Sequence, residues 1–71
     1  MRPGIYRHYK GALYRVLFTA LMSDNDKKRE AYVVYFSMEK GEMNVRRLEE
    51  FQEYITTTDG QRITRFTHLH D

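Results

Sequence analysis

From Ala12 to Met22 the chain alternates with period two. Ala12, Tyr14, Val16, Phe18, Ala20 and Met22 hold the even positions; Leu13, Arg15, Leu17, Thr19 and Leu21 hold the odd ones. A helix would scatter this pattern around its axis. An extended strand gathers the even residues on one wholly apolar face and leaves a mixed face opposite. The β-branched and aromatic content agrees with a strand in an antiparallel sheet. Any fold for this chain must therefore cover one apolar face of a long strand.

The remaining segments are short and read the same way. Ser23 to Arg29 is a polar turn rich in Asn and Asp. A strand is predicted over Glu30 to Met38, around Ala-Tyr-Val-Val-Tyr-Phe. It is apolar on both faces, so it is central or covered on both sides. A surface shared between two copies would give the same pattern, and a homodimer is compatible with it. Gly41 suits a turn that needs positive φ. Met43 to Arg46 is a short strand, and Leu48, Phe51 and Tyr54 or Ile55 have the spacing of a short helical turn. Ile55 to Thr58 reads as β. Asp59-Gly60 predicts a two-residue type I′ hairpin, and Gln61 to Leu69 returns as the last strand.

The chain has 71 residues, room for one domain over residues 1–71. Five or six short strands in that length predict an all-β fold. It is expected to be a small, strongly bent antiparallel sheet that closes into a barrel, with at most one short helical turn. Closure would protect the strand edges. A domain this small buries only about 60% of its unfolded surface, so its core is thin. That weighs against catalysis, which needs a dry, shaped pocket.

There is no cysteine, which points to a reducing cytoplasm and removes thiol chemistry. No apolar run resembles a signal-peptide core or a membrane span. The formal net charge is +2. Before Asp24 every charged side chain is basic, namely Arg2, Arg7, Lys10 and Arg15, and acids cluster later at Glu39, Glu42, Glu49, Glu50 and Glu53. Such asymmetry fits a nucleic-acid footprint or two halves that neutralise each other, and the small net charge favours the second.

The order of residues carries a further signal. The run Tyr6-Arg7-His8-Tyr9-Lys10-Gly11 is followed by Tyr14 and Val16, Val33-Val34-Tyr35, Val45-Arg46, Phe51, Gly60 and Arg65-Phe66. In this it resembles the bacterial domain-of-unknown-function family numbered 1653, over nearly the whole chain. The resemblance implies a barrel of Src-homology-3 type and no established biochemical role. Three positions depart from the family pattern. Asn44 stands where Trp is usual, Arg47 where Pro is usual, and Thr64 where Pro commonly precedes Arg-Phe.

The candidate site residues are Tyr6, Arg7, His8, Lys10, Arg46 and Arg65. On a strand Tyr6, His8 and Lys10 share one face, and Ile5, Arg7 and Tyr9 the other. Tyrosine stacks or covers apolar groups, and arginine forks onto carboxylate or phosphate. The packing reading is also open: one tyrosine in the core, and Arg7 paired with Glu49 or Glu50. His68-x-His70 puts two imidazoles on one strand face without a third ligand, so no metal and no cofactor is expected. No serine, glycine or carboxylate pattern marks a nucleophile, a phosphate loop or an acid–base pair. The sequence thus reads as a non-catalytic, cytoplasmic binding module for a protein or peptide. Nucleic acid is the alternative partner, and an accessory domain of an enzyme is the third reading. No membrane association is expected.

Overall fold

The computed structural model describes residues 1–23 and 29–71. The turn expected over Ser23 to Arg29 lies, for residues 24–28, outside them, as do the cations at 27 and 28. In chain order the elements are β1 (Gly4–His8), β2 (Leu13–Leu21), β3 (Ala31–Ser37), β4 (Glu42–Arg47), α1 (Leu48–Phe51), β5 (Tyr54–Thr56), β6 (Arg62–Thr64) and β7 (Phe66–His70). The fold is all-β with one helical turn, and the described strands number seven rather than five or six. Among the described residues no helix is long and apolar enough to cross a membrane.

Five strands form one antiparallel sheet in the order β4-β3-β2-β1-β7, and β5 and β6 form a separate hairpin. β4 and β7 are the outer strands of the large sheet. Among the described residues no strand ladder joins them. The sheet bends in β2. Tyr14 to Val16 pair with both β1 and β3, whereas Phe18 to Leu21 pair with β3 alone.

That bend corrects the expected alternation. A β-bulge falls between Val16, opposite Tyr35, and Phe18, opposite Val34. Leu17 is the extra residue, and one added residue exchanges the faces of everything after it. Val16 is fully buried, but Phe18 is 55% exposed. The even positions therefore do not share one face. Ala12, Tyr14 and Val16 look inward, and Phe18 and Ala20 join Val34 and Tyr32 on the outer face. β3 is interior by pairing, yet only one of its faces is covered. Val33, Tyr35 and Ser37 are buried, while Tyr32, Val34 and Phe36 are half-exposed.

Two hairpins close in the same way. Gly11 N–H donates to His8 C=O at 2.7 Å, and His8 N–H donates to Ala12 C=O at 2.8 Å. Gly60 N–H donates to Thr57 C=O at 3.0 Å, and Thr57 N–H to Gln61 C=O at 2.8 Å. Both are three-residue loops whose glycine takes positive φ, 108° at Gly11 and 86° at Gly60. The Asp59-Gly60 hairpin is present, but its turn is not type I′, because no non-glycine residue among those described has positive φ. The expected last strand is split at Arg65, whose N–H donates to Glu53 C=O and whose C=O accepts from Tyr9 N–H.

The core is aromatic. Tyr6, Val16, Val33, Tyr35, Phe51 and Phe66 are buried together, with Tyr14 and Leu48 packed against them. Phe51 and Phe66 stack with centroids 3.9 Å apart and planes 4° from parallel. α1 is one turn long, and its i, i+3 spacing presents Leu48 and Phe51 to the core. Offset and edge-on ring contacts of this kind add about 0.5–1.5 kcal/mol per pair beyond area burial.

Candidate functional site: a basic rim on an aromatic core

The inward face of β1 sets the site. Tyr6 lies deep in the core, and His8, two residues on, reaches its rim. The His8 ring meets Phe66 edge-on at 5.0 Å, Tyr14 at 6.4 Å, and Tyr9 in a tilted contact at 4.5 Å. Tyr14 in turn is edge-on to Tyr35 and Phe66 at 5.4 and 5.6 Å. A half-exposed aromatic ledge results.

Cations surround this ledge. The Arg46 guanidinium, on the inward face of β4, lies over the Phe66 ring with Cζ 6.0 Å from its centroid. Lys10, in the first hairpin loop, places Nζ 5.7 Å from the Tyr9 centroid. Arg65 stands at the break between β6 and β7. Its Nη2 donates to Glu53 Oε2 at 2.8 Å, and its Nε is buried without an acceptor among the described residues. Burial lowers the pKa of His8 from its ordinary value, and the positive charges of Arg65, Lys10 and Arg46 lower it further. The Lys10 N–H also donates to His8 Nδ1 at 3.1 Å. That bond occupies Nδ1 as an acceptor and leaves Nε2 to carry the proton of the neutral ring.

Of the candidates read from the sequence, the fold brings His8, Lys10, Arg46 and Arg65 together. Tyr6 is 5% exposed, and its hydroxyl donates to Arg2 C=O at 2.6 Å. It is edge-on to Phe51 at 5.6 Å and to His68 at 5.0 Å. Burial raises its pKa. Arg7 lies on the opposite face of β1, exposed, across from Leu13 and Thr67. The acids at 49 and 50 face Arg47 rather than Arg7, with Glu50 Oε1 2.9 Å and Glu49 Oε1 3.8 Å from it. Of the four cations before Asp24, Arg2 alone takes a carboxylate among the described residues, that of Asp71 at 3.0 Å. His68 Nε2 lies 3.2 Å from Asp71 Oδ1, and no cluster of three metal-binding side chains occurs among the described residues.

A family model described as a protein of unknown function, DUF1653, matches residues 4–68. The chain belongs to the DUF1653 family. It is also similar to a crystal structure of a DUF1653 protein from Bordetella bronchiseptica. Identity is 34% over all of this chain and 94% of the other, with a TM-score of 0.78. No curated protein matches the chain.

Two of the positions at which the resemblance lapses, Asn44 and Arg47, lie within two residues of Arg46 on β4. Asn44, on the same face of β4 as Arg46, donates from Nδ2 to Glu42 C=O at 3.1 Å. Arg47 ends β4 and ties it to α1 through Glu50, and this pairing raises its pKa. Tyr9 and Tyr14 join the ledge without being among the candidates that the sequence pattern marks. Treating Tyr9-Lys10-Gly11 as a three-residue loop would have set His8 opposite Ala12 and Tyr6 opposite Tyr14, and so placed Tyr14 beside His8.

Proposed function

We propose that this chain is a non-catalytic binding module, with the architecture of a Src-homology-3-type small barrel. It takes an acidic segment of a partner protein on the ledge formed by His8, Tyr9, Lys10, Tyr14, Arg46 and Arg65. One observation carries the reading: Lys10 and Arg46 stand over the Tyr9 and Phe66 rings, two of the rings that His8 itself touches. Lys10 and Arg46 have no carboxylate partner among the described residues. A carboxylate laid on the ledge would accept from the Arg46 fork and the His8 Nε2–H while its chain packs on Tyr14. The β-bulge at Leu17, a device that bends a strand, supports the barrel architecture. The neighbours of His8 weigh against general-base work. They lower its basicity and supply no carboxylate to orient it. The cysteine-free sequence supports a cytoplasmic setting.

The test is a titration of the 15N-labelled chain with a Glu/Asp-rich peptide, followed by NMR. Shifts should concentrate at His8, Lys10, Tyr14, Arg46 and Arg65, and K10E should weaken binding several-fold while leaving the spectrum folded. Shifts confined to other surfaces, or none at millimolar peptide, would overturn the reading. Tighter binding of an oligonucleotide, falling steeply with salt, would replace the acidic peptide with nucleic acid.

A further inference from the structure

We propose that the chain self-associates through β4, two copies pairing their β4 strands antiparallel about a two-fold axis at Asn44. β4 is an outer strand of the large sheet, paired with β3 on one side and with no strand on the other among the described residues. An open edge of this kind is a template for another strand. Its outer face carries Arg47 and two unusually bare apolar side chains: Val45 is 65% exposed and Met43 56%.

The sequence of β4 is complementary to itself in one register. Centred on Asn44, the pairing sets Met43 opposite Val45 of the second copy, and Glu42 opposite Arg46 of the second copy. Symmetry repeats both pairs. Centred instead on Val45, it would set Asn44 against Arg46 and Met43 against Arg47. Centred on Met43, it would set Lys40 against Arg46. Both alternatives lose the apolar match and the opposite charges. Directly opposed residues stand close enough for each such pair to favour or oppose association.

The register also extends an apolar row already present in one copy. Phe18 is opposite Val34, and Val34 opposite Val45. In the pair this row would continue through Met43 and Phe36 of the second copy, since Met43 is opposite Phe36. The uncovered outer face of β3 is thereby incorporated in a longer cross-strand ladder. A stable dimer of standard size buries about 800 Å² per partner. A six-residue strand pair on a chain with 5333 Å² of accessible surface falls short of that. The dimer is therefore of the weak, concentration-dependent class.

Sedimentation equilibrium from micromolar to millimolar protein tests this. The mass should rise from 8.6 kDa toward twice that value. V45E and E42R should each weaken the dissociation constant by about tenfold or more, because each change acts twice across the axis. Val45 and Glu42 are exposed, so both variants should keep the wild-type circular dichroism. The double variant E42R/R46E should restore association by exchanging the paired charges, while losing acidic-peptide binding, because Arg46 also belongs to the ledge. Mixed-label NMR of the unmodified chain should show contacts between Met43 and Val45 methyls of different copies. A mass fixed at 8.6 kDa throughout would overturn the proposal. So would a dimer indifferent to V45E and E42R, or a double variant no better than the singles. K10E, which tests the acidic-segment site, should leave the mass unchanged.

Discussion

Phe51→Ala is the sharpest probe of how this small chain holds its shape. α1 has four residues, too few for a stable helix of its own, and its role is to insert Phe51. The ring is 1% exposed, stacked on Phe66 at 3.9 Å and edge-on to Tyr6 and Tyr35 at 5.6 and 5.5 Å. Truncating a buried Phe to Ala typically costs about 3–5 kcal/mol in lost transfer energy and residual cavity. The upper part of that range is expected, because three aromatic neighbours lose a partner at once. Total stability at roughly 0.05–0.15 kcal/mol per residue comes to about 4–11 kcal/mol for a chain of this length. Phe51→Ala should therefore remove about half of it or more, lowering Tm by roughly 15–30 °C. Phe51→Leu keeps most of the apolar volume and should cost about 1–2 kcal/mol. Urea melts followed by far-UV circular dichroism and tyrosine fluorescence give both values. An alanine variant within about 1 kcal/mol of the parent, at unchanged slope, would show that α1 does not plug the core.

Gly4→Ala should destabilise by about 2 kcal/mol or more. Gly4 has φ 135°, and an added Cβ would stand 2.6 Å from the His70 carbonyl oxygen. Gly60→Ala, at φ 86° in open space, should cost about 1 kcal/mol, so equal losses in thermal melts would refute the close approach. Folding holds the His8 imidazole below its ordinary pKa of 6.5, first through burial and then through Arg65, Lys10 and Arg46. The unfolded chain takes up that proton first as pH falls. Stability from this group is complete above about pH 6.5 and is lost from there down through the folded pKa. His8→Gln should flatten the stability profile in that window, and an NMR titration placing the His8 pKa above 6.5 would contradict the sign. Tyr6→Phe removes the 2.6 Å hydrogen bond to the Arg2 carbonyl and should cost about 0.5–1.5 kcal/mol in the same urea assay.

Local chemistry made much of the fold legible. Alternation named the long strand, and Gly11, Gly41 and Gly60 each sit where a turn uses positive φ. The spacing of Leu48 and Phe51 marked the helical turn. What period-two reading could not reveal was the extra residue at Leu17. A bulge leaves no mark in an apolar run, because Leu17 and Phe18 suit either face equally well. The decision belongs to the sheet, which must bend where β2 stops pairing with β1. The split at Arg65 has a similar origin, since its backbone is claimed by Glu53 and Tyr9 from elsewhere in the chain.

The sequence by itself determined the all-β class, most strand positions and the family, because these depend on side-chain pattern and residue order. It also singled out His8, Lys10, Arg46 and Arg65 as candidates, but not their grouping, and not Tyr9 or Tyr14 beside them. Only the tertiary structure divided Tyr-Arg-His-Tyr-Lys-Gly between core, ledge and outer face, and only it brought Arg46 of β4 and Arg65, between β6 and β7, to His8. Those contacts are set by sheet register and by which face of each strand the core claims. Both are long-range outcomes, and no local spacing encodes them.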